Sequence, residues 1–217
     1  MNKADFKFQS IILKWYIENG RNFVWRETRD PYKILVAEIV LKQTGAWKAE
    51  KAFHQIIELY KSVEELSLAN NSKLNEIIKP LGLTERSKLL VEISKDIINR
   101  FEGKIPDNYE QLISIKGVGQ YTANAILCLA YEERHPLVDG SVKRVLQRVF
   151  GYDSSKPAYA DKDLWQMAFN LLPYRSYRDY NLGLIDFGAL VCKHLKPNCV
   201  DCPLKDLCYH QQKLQKI

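Results

Sequence analysis

An all-α fold is what this sequence predicts, on three observations. Apolar residues recur at helical spacing in one segment after another, no stretch sustains the alternation of a half-buried strand, and Gly and Pro fall between the periodic segments. Phe8, Ile11, Ile12, Trp15 and Tyr16 mark a first helix that Gly20 can stop. Asp30-Pro31 opens a second, with proline at its first position, running through YKILVAEIVLKQT to Thr44. A third follows in WKAEKAFHQIIELY. Amphipathic patterns continue over 72–78 and 84–101, the latter carrying Leu89, Leu90, Ile93 and Ile97, with Pro80, Gly82 and residues 103–106 as punctuation. A short helix ends near Ser114, and a longer one opens at Gln120 and carries Ala123, Ala125, Ile126, Leu127 and Leu129. Another starts near Ser141.

The chain has 217 residues, 46% hydrophobic and 27% charged, which suits one large domain or two small ones sharing an interface and a cleft. No apolar run reaches the roughly 18 residues of a membrane span. Lys7, Gln9 and Lys14 interrupt the N-terminus, and no small-residue cleavage site follows, so the cytoplasm is the expected location. Lysine and arginine total 32 against 26 acids; the net charge of +6 favours a polyanionic partner. Internal repeats and low-complexity tracts are absent.

The segment YEQLISIKGVGQYTANAILCLA carries the clearest chemistry. Gly117-Val118-Gly119 makes a tight turn between two helices, and its glycines let the backbone approach a ligand. The unpaired N–H groups where Gln120, Tyr121 and Thr122 begin the second helix form an anion site, and Lys116 adds charge. Such a turn grips a phosphate without reading a base. Leu112, Ile115, Val118 and Ile126 fall at the spacing that packs such a hairpin. Beyond it, Asp139 follows Leu137-Val138 and precedes a helix. It can cap that helix, or stand as a carboxylate that stabilises a sugar cation or orients a water. Glu38, within ILVAEIVL, either shares a solvated face with Lys33 and Lys42 or is buried with a raised pKa; periodicity leaves both open. Cys192, Cys199, Cys202 and Cys208 are spaced C-x6-C-x2-C-x5-C, which fits a [4Fe–4S] cluster or a structural zinc equally well. Cys128 is expected to pack as a small apolar residue.

LISIKGVGQYTANAI followed by VDGSVKRVLQR resembles the endonuclease III superfamily of helix-hairpin-helix DNA glycosylases, and the similarity covers almost the whole chain. The resemblance implies two helical lobes with the active cleft between them. One is a six-helix barrel with the hairpin, at 28–138; the other combines 1–27 with 139–217 and carries a [4Fe–4S] cluster on the four cysteines. It implies a monomer acting on mismatched or damaged double-stranded DNA, nucleoid-associated in a prokaryotic cytoplasm. Asp139 then faces the sugar, Glu38 donates a proton or hydrogen bond to the flipped base, and Gln43, followed by Thr44, fills the stack where that base leaves. Tyr121 stands where relatives that also cleave the strand carry lysine. A tyrosine cannot form their Schiff base, so the implied enzyme leaves an abasic site.

Two branches compete for the base. RDYNLGLIDFGALVC, WRETRDPY and the tyrosine of GVGQYT resemble thymine–guanine mismatch glycosylases, while LKQTG resembles the adenine glycosylases. Leu182 lacks the polar contact an adenine pocket needs. The sequence ends nine residues past Cys208, without the further domain usual in the adenine branch. Thymine or uracil opposite guanine is therefore the expected substrate, with adenine opposite guanine or 8-oxoguanine as the alternative. A helix-hairpin-helix module that only holds DNA is the second alternative; binding alone does not require Glu38, Tyr121 and Asp139 together.

Overall fold

The computed structural model describes residues 2–82 and 84–214, and among these no residue is in a strand. The α-helices, in chain order, are α1 (Lys3–Asn19), α2 (Pro31–Leu41), α3 (Ala46–Leu59), α4 (Val63–Ser67), α5 (Asn71–Ile78), α6 (Glu85–Phe101), α7 (Tyr109–Ser114), α8 (Gln120–Leu129), α9 (Gly140–Phe150), α10 (Lys162–Asn170), α11 (Tyr177–Leu190) and α12 (Tyr209–Leu214). They belong to two compact units. Asn22–Glu133 forms one, and the N-terminal segment up to Arg21 joins the chain from Arg134 onward to form the other.

In the unit Asn22–Glu133, α2 is the central element. Asp30 caps it by accepting from the Tyr32 N–H at 2.9 Å, and Pro31 supplies its first turn. Residues 34–40 are buried without interruption, as a helix enclosed on all sides requires. It packs against α3, α6 and α8. The helix ends at Leu41, three residues before the Thr44 that periodicity suggests. Gln43 adopts a left-handed backbone, with φ of 52°, and the Thr44 N–H turns back to the Leu41 carbonyl at 3.0 Å. A single-residue pattern cannot foresee that turn, because Arg86, far along the chain, takes up the carbonyls at the helix end.

The other unit is built on α11, against which α1 and α9 both pack, with α12 on α9. Gly188 permits the close approach of α9: a Cβ there would lie 2.8 Å from the Ser141 Cβ. Phe8 of α1 meets Phe150 and Tyr180 edge-on, with ring centroids at 5.0 and 6.2 Å. Asp186, fully buried, holds Arg21 through three bonds. Its Oδ2 accepts the Arg21 backbone N–H at 2.8 Å, and its Oδ1 accepts Nε at 2.8 Å and a terminal nitrogen at 2.6 Å. Removing one member of such a pair leaves the other charge desolvated. Asp186→Ala is expected to lower stability by about 3–5 kcal/mol, read as a fall in the denaturant midpoint at unchanged slope.

Candidate functional site

The hairpin is assembled by α7, its turn and α8. Asn108 caps α7 through the Gln111 N–H at 3.1 Å. Leu112, Ile115, Val118 and Ile126 are all buried, as their spacing predicts. Gly117 has a φ of 99°, and a Cβ on it would come within 2.3 Å of the Leu89 side chain. Glycine at this position is therefore favoured by the left-handed conformation, and a larger residue would also have to displace the end of Leu89. At Gly119 the space where a Cβ would stand is open, and no side chain caps α8. The start of α8 thus carries no side-chain cap and lies beside the exposed Lys116. Val118 is buried and its N–H donates to the Ile115 carbonyl at 3.0 Å, and the Thr122 side chain is also buried. Gln120 and Tyr121 are half-buried.

On α2, Glu38 is 9% exposed, so its side chain is enclosed and does not lie on a solvated face. Lys42, at the end of this helix, donates from Nζ to the Gly117 carbonyl at 2.8 Å, tying the Gln43 loop to the hairpin turn. Burial pushes the Lys42 ammonium below its ordinary pKa, and the Glu38 carboxylate pulls it back up. Gln43 is exposed and Thr44 half-buried. Sequence reading missed Arg86, whose guanidinium donates to the Val40 carbonyl at 2.8 Å, to Thr44 Oγ1 at 2.7 Å and to the Lys42 carbonyl. Its own signal is faint: an arginine in the first turn of α6 is an ordinary residue until the fold encloses it.

Asp139 belongs to the other unit. It is half-buried and caps α9, its Oδ1 accepting the Val142 N–H at 2.7 Å. Burial raises its pKa above the usual carboxylate value, against the opposing pull of the Val142 and Ser141 N–H groups and the charges of Arg144 and Arg21. The segment leading to it is fixed by Asn181, also unassigned from sequence. The Asn181 amide accepts the Leu137 N–H at 3.1 Å and donates to the His135 carbonyl at 2.9 Å. Leu182, the next residue of α11, is buried.

Beyond α11, the loop with Cys192, Cys199, Cys202 and Cys208 leans on α9. Arg144 donates to the carbonyls of Cys192 and Gly188 at 2.8 and 2.7 Å, and Arg148 to that of Lys193 at 2.7 Å and to Cys192 Sγ at 3.5 Å. The four sulfurs are half-buried and sense one another. Burial, then the other three thiols, push Cys202 up to about 11. Among the described residues no three His, Cys, Asp or Glu side chains converge on single-ion spacing. Four cysteines on one loop are the donor set of either an iron–sulfur cluster or a structural zinc. Cys128, fully buried on α8, is apart from this group in sequence and unit.

Residues 36–168 match the HhH-GPD superfamily base excision DNA repair protein family. A thymine/uracil-DNA glycosylase of Methanothermobacter thermautotrophicus is 37% identical over 98% of this chain and 96% of its own. A solved thermostable thymine-DNA glycosylase superposes with a TM-score of 0.93 at 37% identity, covering 98% of each chain. An adenine DNA glycosylase of Buchnera aphidicola is 32% identical over 94% of this chain but only 59% of its own length. By sequence along most of its length and by an all-helical architecture with the hairpin in place, the chain belongs to the HhH-GPD superfamily of base excision DNA repair proteins.

Proposed function

We propose that this protein is a monofunctional DNA glycosylase that removes thymine or uracil opposite guanine from double-stranded DNA, as a monomer in a prokaryotic cytoplasm. The observation that carries this reading is the full-length similarity to thymine/uracil-DNA glycosylases, joined to an enclosed Glu38 and a half-buried Asp139. The hairpin grips the backbone through Gly119, Gln120 and Lys116. Gln43 enters the stack, and the target nucleotide swings out, at least expense where it is mispaired.

Excision then uses two carboxyl groups in different states. Asp139, ionised, stabilises the positive charge that develops on the sugar as the N-glycosidic bond breaks. Glu38 donates to the departing base, and a water completes the hydrolysis to an abasic site. Leu182 lines the base pocket. Tyr121 has no amine to attack the sugar, so the strand stays intact. Cys192, Cys199, Cys202 and Cys208 would hold a [4Fe–4S] cluster, which supplies a fixed charge and a staple for the C-terminal loop.

Single-turnover reactions on T·G, U·G, A·G and A·8-oxoguanine duplexes test the reading. Release from T·G and U·G is expected, with no adduct trapped by borohydride. Adenine release alone would transfer the assignment to the adenine branch, which the Gln43-Thr44 pair favours.

Asp139→Asn separates chemistry from architecture, since asparagine caps a helix as well as aspartate does. Excision is expected to fall by at least about a hundredfold with duplex affinity kept. The raised pKa means that the folded chain binds this proton more readily than the unfolded chain. Ionised Asp139 therefore opposes folding at neutral pH, and that cost is lifted as the pH falls through its folded-state pKa. The melting temperature of Asp139→Asn at pH 7 should accordingly equal or exceed that of the parent. The parent's excision rate should fall about tenfold per pH unit below a midpoint lying above the usual carboxylate range.

The purified protein should be brown, with iron and inorganic sulfide in equal amounts, and Cys202→Ser should lose both. A colourless protein containing zinc would refute the cluster assignment.

A further inference from the structure

We propose that Arg86 is a positioning residue that sets the wedge, holding the loop of Gln43 in the one conformation from which its side chain can enter DNA; this rests on the excision reading above. Arg86 is 4% exposed, and among the described residues it has no carboxylate partner. Burial accordingly pushes its pKa down. A desolvated guanidinium without a counter-ion is an unfavourable arrangement unless oxygens take up its charge. Here its acceptors lie on one short stretch: the carbonyls of Val40 and Lys42, and Thr44 Oγ1. They bracket Gln43 on both sides. The guanidinium supplies donors to carbonyls at the end of α2 and a positive charge where the helix dipole is negative.

Gln43 itself is the reason such a clamp is needed. A left-handed backbone at a residue with a Cβ is unfavourable, and helices that end this way ordinarily do so on glycine. Glycine stands two positions later, at Gly45, and not at the strained residue. A side chain is thus kept where the backbone disfavours one, and the residue is exposed. Glu102, Glu132 and Ser176 share the left-handed backbone, so what singles out Gln43 is the buried clamp on both sides of it. The same α6 also supports the hairpin, since Leu89 lies under Gly117, and Lys42 joins the two loops through the Gly117 carbonyl. The wedge and the phosphate grip are therefore braced from one helix.

A double-mutant cycle tests the assignment, read by single-turnover excision from a U·G duplex and by the fluorescence of a 2-aminopurine placed beside the mismatch. Arg86→Lys keeps the charge and loses the planar fork. Thr44→Val removes one acceptor at the edge of the clamp and endangers folding less. Each is expected to lower excision and the flipping signal about tenfold when Gln43 is present. Each should change them by less than about twofold in a Gln43→Ala background, because both act through that side chain. Equal losses in the two backgrounds would reduce Arg86 to a structural role and overturn the proposal. So would unchanged flipping in both single variants, or an unchanged signal in Gln43→Ala alone. Excision by the unaltered protein in the same series keeps the enzymatic reading separate: if it releases no base from any duplex, that reading falls as well.

Discussion

Asp139 and the start of α9 impose the constraint on which the other arrangements depend. One carboxylate oxygen closes the helix by accepting the Val142 N–H, so the side chain cannot swing freely. Burial meanwhile raises the free energy of its charge. A carboxylate in this position is both immobile and incompletely solvated, a condition suited to meeting a transient cation. The surroundings maintain it from several directions. Asn181 fixes the approaching backbone, Gly188 lets α11 come up against Ser141, and Asp186 secures Arg21, whose charge Asp139 feels.

Helix α9 carries a second responsibility along its length. Arg144 and Arg148 reach from it to the carbonyls of Cys192, Lys193 and His194. The cysteine loop and the carboxylate are therefore attached to the same rod, a few turns apart. Whatever loosens the loop removes hydrogen bonds from the helix that Asp139 begins. The loop is a structural partner of the site even if it never touches a substrate.

Much of this was legible in the sequence. The start of α2 is written in Asp30-Pro31, and the hairpin in its two glycines and buried apolar positions. The C-x6-C-x2-C-x5-C spacing marks the cysteine loop. What was not legible depends on distant partners. The end of α2 is displaced to Leu41 because a left-handed Gln43 is held by an arginine in another helix. Glu38 was ambiguous because α2 is apolar nearly all round, so periodicity has no polar face from which to measure it. Val118 is legible as a packing position from the hairpin spacing, whereas the burial of Thr122 depends on what α8 packs against. Between the two branches, the chain is similar to adenine glycosylases over 36–60% of their length and to thymine/uracil-DNA glycosylases over 94–96% of theirs.

The fifth cysteine has a practical consequence. Cys128 is sealed inside α8, while the sulfurs of the C-terminal loop are only half covered. A maleimide or other thiol label applied to the native chain will therefore pass over the helix, and will reach the loop wherever its sulfurs are not engaged by a cluster. Counting accessible thiols becomes a measure of how intact that loop is, with a silent internal standard that reports only when the whole molecule opens.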